Sequence, residues 1–159
     1  MAVNSDPVVL CLSASGAPVA RLIAEAVGAQ VHGLAGRVEG ADAVFDDAPE
    51  HLRGLFGAGV PIIGVCAAGI LIRSLAPVLA DKWSEPPVLA VSDDGASVVP
   101  LLGGHRGANV LAGRVALATG GVAALTTAGE VALGVALDAP PAGWVLANPG
   151  DAKPAMAAL

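Results

Sequence analysis

Residues 7–18 read Pro-Val-Val-Leu-Cys-Leu-Ser-Ala-Ser-Gly-Ala-Pro, and this stretch decides the fold class. Its first seven residues are a continuous apolar run of strand length, which predicts a strand buried on both faces of a parallel sheet. A short loop follows, and Ala17-Pro18 opens a helix to about Gly28, because proline is tolerated in a first helical turn. We interpret Ser13 and Ser15 in that loop as helix caps rather than as an anion site.

Strand–loop–helix units recur along the chain. Val60–Cys66 is a second buried strand, and Ala67-Ala68-Gly69 turns it into a helix to about Ala80. Further strands are predicted at Gln30–Gly33, Pro87–Val91, Ser97–Leu102, Ala123–Thr127 and Gly143–Ala147, with helices at His51–Phe56, Val110–Ala118 and about Glu130–Leu137. Ala43–Phe45 is too short to assign. Asp94-Gly95 predicts a hairpin. The alternation predicts an α/β fold with a three-layer, open, mostly parallel, Rossmann-like sheet and an appended β-hairpin.

Small-residue loops follow four of the predicted strands. They are Ser13–Gly16, Ala67–Gly69, Gly103–Gly107 and Thr126-Thr127. Open α/β sheets bind ligands beyond the carboxyl ends of their strands. We therefore expect these four loops to converge on one edge of the sheet.

The third of these loops is the candidate site. Gly103, Gly104 and Gly107 let a ligand approach the main chain, and the first amides of the following helix would face it with partial positive charge. His105 and Arg106 lie between these glycines. The loop does not fit a dinucleotide fingerprint, and Gly64–Gly69 lacks the Lys-Ser/Thr pair of a phosphate loop. A generic anion site is the interpretation that remains.

Composition excludes several partners. A formal net charge of -6 and 3% aromatic residues argue against nucleic acid and against an anionic membrane. The uncharged run Gly54–Ile72 is long enough to span a bilayer, but Pro61 and several glycines break it. Cys11 and Cys66 lie in apolar runs and predict buried, reduced thiols in a cytoplasmic protein. No metal site is predicted. Asp46, Asp47 and Glu50 are interpreted as carboxylates that favour the start of the helix predicted at His51–Phe56, and His51 as a solvated surface residue.

An ordered set of motifs runs through the central half of the chain. Its members are Gly64–Ile70, Arg73, Ala76-Pro77, Lys82, Pro86–Val88, Asp94-Gly95, Pro100–Leu102, Gly104–Asn109 and Thr126–Ala128. The set resembles the N-terminal region of the cobalt-precorrin-5A hydrolases (CbiG) of cobalamin biosynthesis. Trp144, Ala147–Pro149 and Lys153-Pro154 resemble the start of that family's middle region. We therefore assign residues 1–142 to a CbiG N-terminal-like α/β domain and 143–159 to the start of a following, truncated region.

The resemblance implies an enzyme that opens the ring A lactone of a cobalt-corrinoid intermediate and expels acetaldehyde. A similar region is also fused to precorrin-3B methyltransferases, so a non-catalytic corrinoid-binding domain is an alternative, and an unrelated nucleotide-binding domain is a second one. Whether this region is an enzyme by itself stays open. No resident cofactor is expected: cobalt belongs to the corrinoid substrate, and S-adenosylmethionine would belong to a fused methyltransferase. The expected partners are a tetrapyrrole and the other domains of a longer polypeptide, with a homo-oligomer left open.

Lactone opening needs an activated water and stabilisation of an oxyanion, and corrinoid precursors carry many carboxylates. His105 is the candidate general base or proton shuttle. Arg73 and Arg106 are the candidate carboxylate contacts, since guanidinium binds carboxylate bidentately. The remaining candidate ligand contacts are Gly103, Gly104, Gly107, Asn109 and Thr127.

Overall fold

A single mixed sheet forms the centre of the first part of the chain. The computed structural model describes residues 5–127 and 143–157, and the chain forms two compact units, residues 1–124 and 125–159. Within the described residues the strands are β1 (Val8–Cys11), β2 (Gln30–Leu34), β3 (Ala43–Phe45), β4 (Ile62–Val65), β5 (Val88–Val91), β6 (Ser97–Leu102) and β7 (Val122–Ala123). Their order across the sheet is β3-β2-β1-β4-β5-β6-β7.

The direction of the strands changes once across this sheet. Strands β1 to β5 all run parallel to one another. Strand β6 runs antiparallel to β5, and β7 runs parallel to β6. The prediction of a mostly parallel α/β sheet with an appended hairpin is confirmed.

Helices cover both faces of the sheet. These helices are α1 (Ala17–Val27), α2 (Ala48–Gly57), α3 (Ala68–Leu75) and α4 (Ala108–Thr119), all in the first unit. The second unit contains α5 (Pro149–Ala157). Helices α1 and α4 pack on one face through residues such as Ile23 and Val115, and α2 and α3 pack on the other through Leu52 and Leu71. All four of these side chains are fully buried. The result is a three-layer sandwich.

Burial explains why the apolar runs became the central strands. Every residue of β1, β4 and β5 is buried. Val9, Ile63 and Leu89 are paired in register and are 0% exposed. Because successive side chains alternate between faces, a strand covered by helices on both sides must be apolar throughout.

Several predicted boundaries differ from the structure. Helix α3 ends at Leu75 and passes into a 3-10 turn over 76–78, because Pro77 cannot continue an α-helix. Residues 143–147 do not form the predicted strand, and Trp144 and Val145 there are 75% and 90% exposed. The helix predicted at about 130–137 lies outside the described residues. The predicted domain boundary after residue 142 stays a prediction.

The two predictions about helix caps have opposite outcomes. Asp47 caps α2 by accepting a hydrogen bond of 2.8 Å from the Glu50 amide, which confirms a local role for carboxylates before that helix. The cap of α1 is Gly16 rather than a serine, so that prediction was wrong. Ser13 Oγ instead accepts a hydrogen bond of 3.1 Å from the Gly16 amide while it donates to Asp93.

A histidine pair ties β2 to α2. His32 Nδ1 lies 2.9 Å from His51 Nε2, and the His51 ring stacks on Phe45 with centroids 4.5 Å apart. The interpretation of His51 as a solvated surface residue was wrong, because β2 and α2 bring the two rings together on the face covered by α2. Burial lowers the pKa of both histidines, and the neighbouring imidazole lowers that of His32 further, while Asp42 opposes this.

We expect this pair to make the stability depend on pH. Because the folded protein lowers both histidine pKa values, the unfolded chain binds more protons, and stability falls as the pH decreases below about 6.5. Urea unfolding between pH 5 and 8 should show this loss. The double variant His32→Asn/His51→Gln should flatten the curve in that window. An unchanged slope in this variant would contradict the assignment.

Candidate functional site

The antiparallel strand β6 decides where the glycine loop lies. Leu102, at the end of β6, pairs with Val88, at the start of β5. The loop 103–107 therefore lies at the amino edge, which we define as the edge where β1, β4 and β5 begin. The loops 13–16 and 67–69 lie at the opposite, carboxyl edge. The expected convergence of four loops on one edge was wrong, because the hairpin reverses the strand that leads into the glycine loop.

The strand that precedes Thr126-Thr127 is reversed in the same way. Strand β7 is parallel to β6, so it too points away from the carboxyl edge. Thr127 belongs to the second unit, which begins at Leu125. Its ligand contact stays a prediction.

The carboxyl edge carries a serine–aspartate cluster. Asp93 Oδ2 accepts hydrogen bonds of 2.8 Å from Ser13 Oγ and 2.6 Å from Ser15 Oγ. This cluster lies beyond the ends of β1 and β5, on either side of β4, and β1 and β4 are neighbours at which the strand order reverses. Ligands of open α/β sheets bind at such a point. The Asp93 carboxylate lies beside Gly16, directly before α1. Its negative charge disfavours a phosphate there, and with it the nucleotide-binding alternative.

The two thiols also lie near this edge and are buried and free, as predicted. Burial raises the pKa of Cys66 to about 12, with a further contribution from Asp93. Burial also raises the pKa of Cys11, whose Sγ donates to the Ser13 carbonyl at 3.2 Å. Both thiols are therefore protonated at neutral pH and serve as small core side chains.

Arg73 is separated from the glycine loop. Its Nη1 lies 3.0 Å from the position that a Cβ on Gly69 would take, so the side chain folds back toward the start of α3 at the carboxyl edge. Helix α3 covers one face of the sheet, while α4, which follows the glycine loop, covers the other. The structure therefore does not bring Arg73 together with His105.

Backbone geometry explains the glycines of the loop. Gly103 has a φ of 76°, and a Cβ there would lie 2.5 Å from the Pro87 nitrogen and 2.6 Å from the Pro86 carbonyl carbon. Gly107 has a φ of 93° and precedes α4 directly. Residues 104–106 between them form one 3-10 turn. Glycine is thus required at 103 by both conformation and space.

The side chains of the loop rest on residues 82–84. The His105 ring stacks on Trp83 with centroids 4.1 Å apart, and Arg106 Nη1 donates a hydrogen bond of 3.2 Å to the Ser84 carbonyl. Lys82 Nζ lies 5.2 Å from the Trp83 ring centroid. Trp83 was not predicted as a site residue, although a tryptophan beside Lys82 in a polar loop was the available signal. The stacked, 59% exposed indole orients the imidazole and offers an aromatic surface beside it.

A cleft of about 410 Å³ adjoins the loop, and we name it the amino-edge cleft. The start of α4 and the residues just before β1, β4 and β5 form its walls. It is lined by Ser5, Asp6, Pro7, Val27, Pro61, Pro87, Arg106, Gly107, Val110, Leu111 and Arg114. Arg106 and Gly107 were predicted as site residues, but Arg114, which lies two helical turns beyond Gly107, was not. Asn109, the other predicted contact on α4, lies half-buried in its first turn.

Fold and site together define an open α/β domain with a glycine loop and two arginines at its amino edge. Residues 50–130, just over half of the chain, match the family described as cobalamin synthesis G N-terminal. This match begins in the first turn of α2 and extends beyond β7, so it includes the whole glycine loop. The chain belongs to this family, and the resemblance inferred from its motifs is confirmed.

Two curated relatives are both described as cobalt-precorrin-5A hydrolases. The protein from Priestia megaterium is 32% identical over 111 residues, which cover 68% of this chain and 30% of the relative. The protein from Salmonella typhimurium LT2 is 39% identical over 87 residues, covering 54% of this chain and 25% of the relative. The matched part of the chain thus spans a quarter to a third of these relatives' length.

A solved structure supports the fold. A protein described as a cobalamin biosynthesis protein G homolog from Sulfolobus solfataricus has a TM-score of 0.58 and 19% identity, over 96% of this chain and 45% of that one. Within residues 5–127 and 143–157, no helix is long and apolar enough to cross a membrane. The same described residues hold no group of three or more metal-ligating side chains.

Replacing Gly103 should destabilise the protein strongly. We expect Gly103→Ala to lower the free energy of unfolding by at least about 2 kcal/mol, because alanine must adopt a left-handed conformation and its Cβ meets the backbone of Pro86-Pro87. Gly104→Ala is the matched control, since nothing lies within 4 Å of the position that its methyl group would take and its φ is not positive. Urea unfolding of both variants makes the comparison. Equal stability would contradict the close approach.

Removing the Asp93 carboxylate should loosen the loop before α1. We expect Asp93→Ala to cost about 1 kcal/mol, because two hydroxyl hydrogen bonds to an exposed carboxylate are lost. Hydrogen exchange at the Gly16 amide should accelerate, since the Ser13 hydroxyl that accepts from it loses its anchor. Glu25→Ala, on the exposed side of α1, is the control. Unchanged exchange at Gly16 would show that the cluster does not hold the loop.

Proposed function

We propose that this chain is the N-terminal region of a cobalt-precorrin-5A hydrolase that acts in the cytoplasm. In this proposal it takes part in opening the ring A lactone of a cobalt-corrinoid with loss of acetaldehyde. The observation that carries the proposal is the match over residues 50–130, together with two relatives described as that hydrolase. No resident cofactor is proposed, since the cobalt belongs to the substrate.

The glycine loop is the proposed contact with the corrinoid. Arg106 uses one guanidinium N–H on the Ser84 carbonyl, and its remaining donors suit a carboxylate of the substrate. Arg106 is exposed, so it can reach a large ligand without rearrangement of the core. The chain has a net charge of -6, so a polyanionic substrate would depend on such local cations.

His105 is the proposed general base or proton shuttle. Stacking on Trp83 restrains the imidazole plane, and a restrained base loses less entropy when it meets a water or lactone oxygen. Backbone amides around Gly103, Gly104 and Gly107 are the proposed donors to the oxyanion. Asn109 and Thr127 remain proposed ligand contacts. Arg73, at the other edge and on the other face of the sheet, would have to contact a different part of the substrate.

A chimeric enzyme tests the proposal. The segment of the Salmonella typhimurium relative that aligns with this chain is replaced by the matching residues, and acetaldehyde release from cobalt-precorrin-5A is measured. We expect activity in the chimera and a decrease in kcat of roughly 100-fold or more for His105→Gln, since general bases contribute that much. Arg106→Gln should mainly raise KM. His51→Gln, a histidine outside the site, is the control.

The outcomes separate the candidate functions. A folded chimera that releases no acetaldehyde contradicts the hydrolase proposal. If the chain binds the corrinoid but His105→Gln leaves kcat unchanged, the region is a binding module and its histidine is not catalytic.

A further inference from the structure

We propose that the amino-edge cleft is a binding site for a carboxylate carried on a short aliphatic chain, with Arg106 and Arg114 as its paired cations. This inference deepens the proposed function. It rests on that function only for the identity of the natural ligand, which would be a carboxylate side chain of the corrinoid. Arg114 thereby becomes a substrate-binding residue. The floor of the cleft, its charges and its size each favour such a ligand.

Three prolines in register form the floor. Pro7, Pro61 and Pro87 precede the paired residues Val8, Ile62 and Val88 at the starts of β1, β4 and β5. Proline has no backbone N–H, so these strand ends present rings rather than donors. The next two amides are also used: Val8 donates to the Pro61 carbonyl at 2.9 Å, and Ile62 donates to the Pro87 carbonyl at 2.8 Å. The proline rings therefore make the floor apolar, and the amides of Val8 and Ile62 are not available to an anion.

One stripe of α4 forms a wall. Gly107, Val110, Leu111 and Arg114 follow at spacings of three, four and seven residues, which place them on one helical face. Val110 is 68% exposed and lines the cleft, so an apolar side chain is open to a ligand there. Val27, at the end of α1, adds further apolar surface to the lining. An aliphatic chain would bury apolar surface against this lining, whereas an inorganic anion would make no apolar contact with it.

The charges sit at the rim. Arg106 and Arg114 give two positive charges and Asp6 one negative charge, so the lining carries a net charge of +1 on a chain of net charge -6. Among residues 5–127 and 143–157, the Arg114 guanidinium makes no hydrogen bond or ion pair. All five of its N–H donors therefore face solvent or ligand. The positive end of the α4 dipole adds to the attraction in the same place.

The volume suits a small organic group. About 410 Å³ lies within the range of small-molecule sites, and it is far larger than one phosphate requires. Guanidinium pairs with carboxylate in a planar, bidentate geometry, while the proline floor takes the methylene groups. The cleft is thus matched to both ends of an aliphatic carboxylate.

Glutarate is the probe, because it joins carboxylates through three methylene groups. The 159-residue chain is titrated at pH 7 and constant ionic strength with glutarate, with neutral glutaramide and with inorganic phosphate, while backbone amide NMR shifts are followed. We expect saturable shifts over residues 106–114 with glutarate in the millimolar range. Glutaramide should give none, and phosphate should bind at least about threefold more weakly.

Variants locate the site. Arg114→Gln should weaken glutarate binding by about five- to tenfold, and Arg114→Lys by less, because lysine keeps the charge but loses the bidentate contact. Val110→Glu places a carboxylate in the cleft and should abolish binding, and neither exposed position threatens the fold. Arg37→Gln, which removes an exposed arginine from a cleft at the carboxyl edge, is the matched control and should bind as the parent chain does.

Three results would overturn the inference: no saturable shift up to about 50 mM glutarate, unchanged binding by Arg114→Gln, or phosphate binding as tight as glutarate. Its failure is distinguishable from failure of the proposed function. If the chimera is active but the chain does not bind glutarate, the cleft proposal fails and the hydrolase proposal stands. If the chain binds glutarate but the chimera is inactive, the cleft proposal stands and the hydrolase proposal fails.

Discussion

The antiparallel pairing of β6 with β5 is the constraint on which the site depends. It is held at one end by the close approach of Gly103 to the backbone of Pro86-Pro87, where no side chain fits. Because β6 runs against its neighbours, the chain arrives at the amino edge instead of the carboxyl edge. The glycine loop, the start of α4 and both arginines of the cleft take their positions from this single reversal.

The two edges of the sheet consequently have different chemistry. At the carboxyl edge, Asp93 already satisfies the hydroxyls of Ser13 and Ser15. A phosphate at this edge, where open α/β sheets often bind one, would therefore lie close to the negative charge of Asp93. At the amino edge, the prolines before β1, β4 and β5 present no backbone N–H, and the exposed Arg106 and Arg114 line the cleft beside them.

Local contacts give the loop a defined shape despite its three glycines. Trp83 stacks on His105, and the Ser84 carbonyl holds Arg106. Both come from the segment just before β5, so the hairpin brings its two flanking loops together. The loop thus presents an imidazole and a guanidinium next to an exposed aromatic ring. These contacts all lie within residues 50–130, which match the cobalamin synthesis G N-terminal family.

The sequence by itself determined the layers of the fold, the hairpin and the family. Buried strands such as Val8–Cys11 must be apolar throughout, and Asp94-Gly95 is a local turn signal, so both are visible without the structure. The tertiary structure alone decided which edge receives the loop. It separated Arg73 from His105 and placed Arg114 in the lining of the same cleft as Arg106. Strand direction and the meeting of distant side chains depend on pairing between segments far apart in the chain, and one strand's own residues do not encode its neighbour's direction.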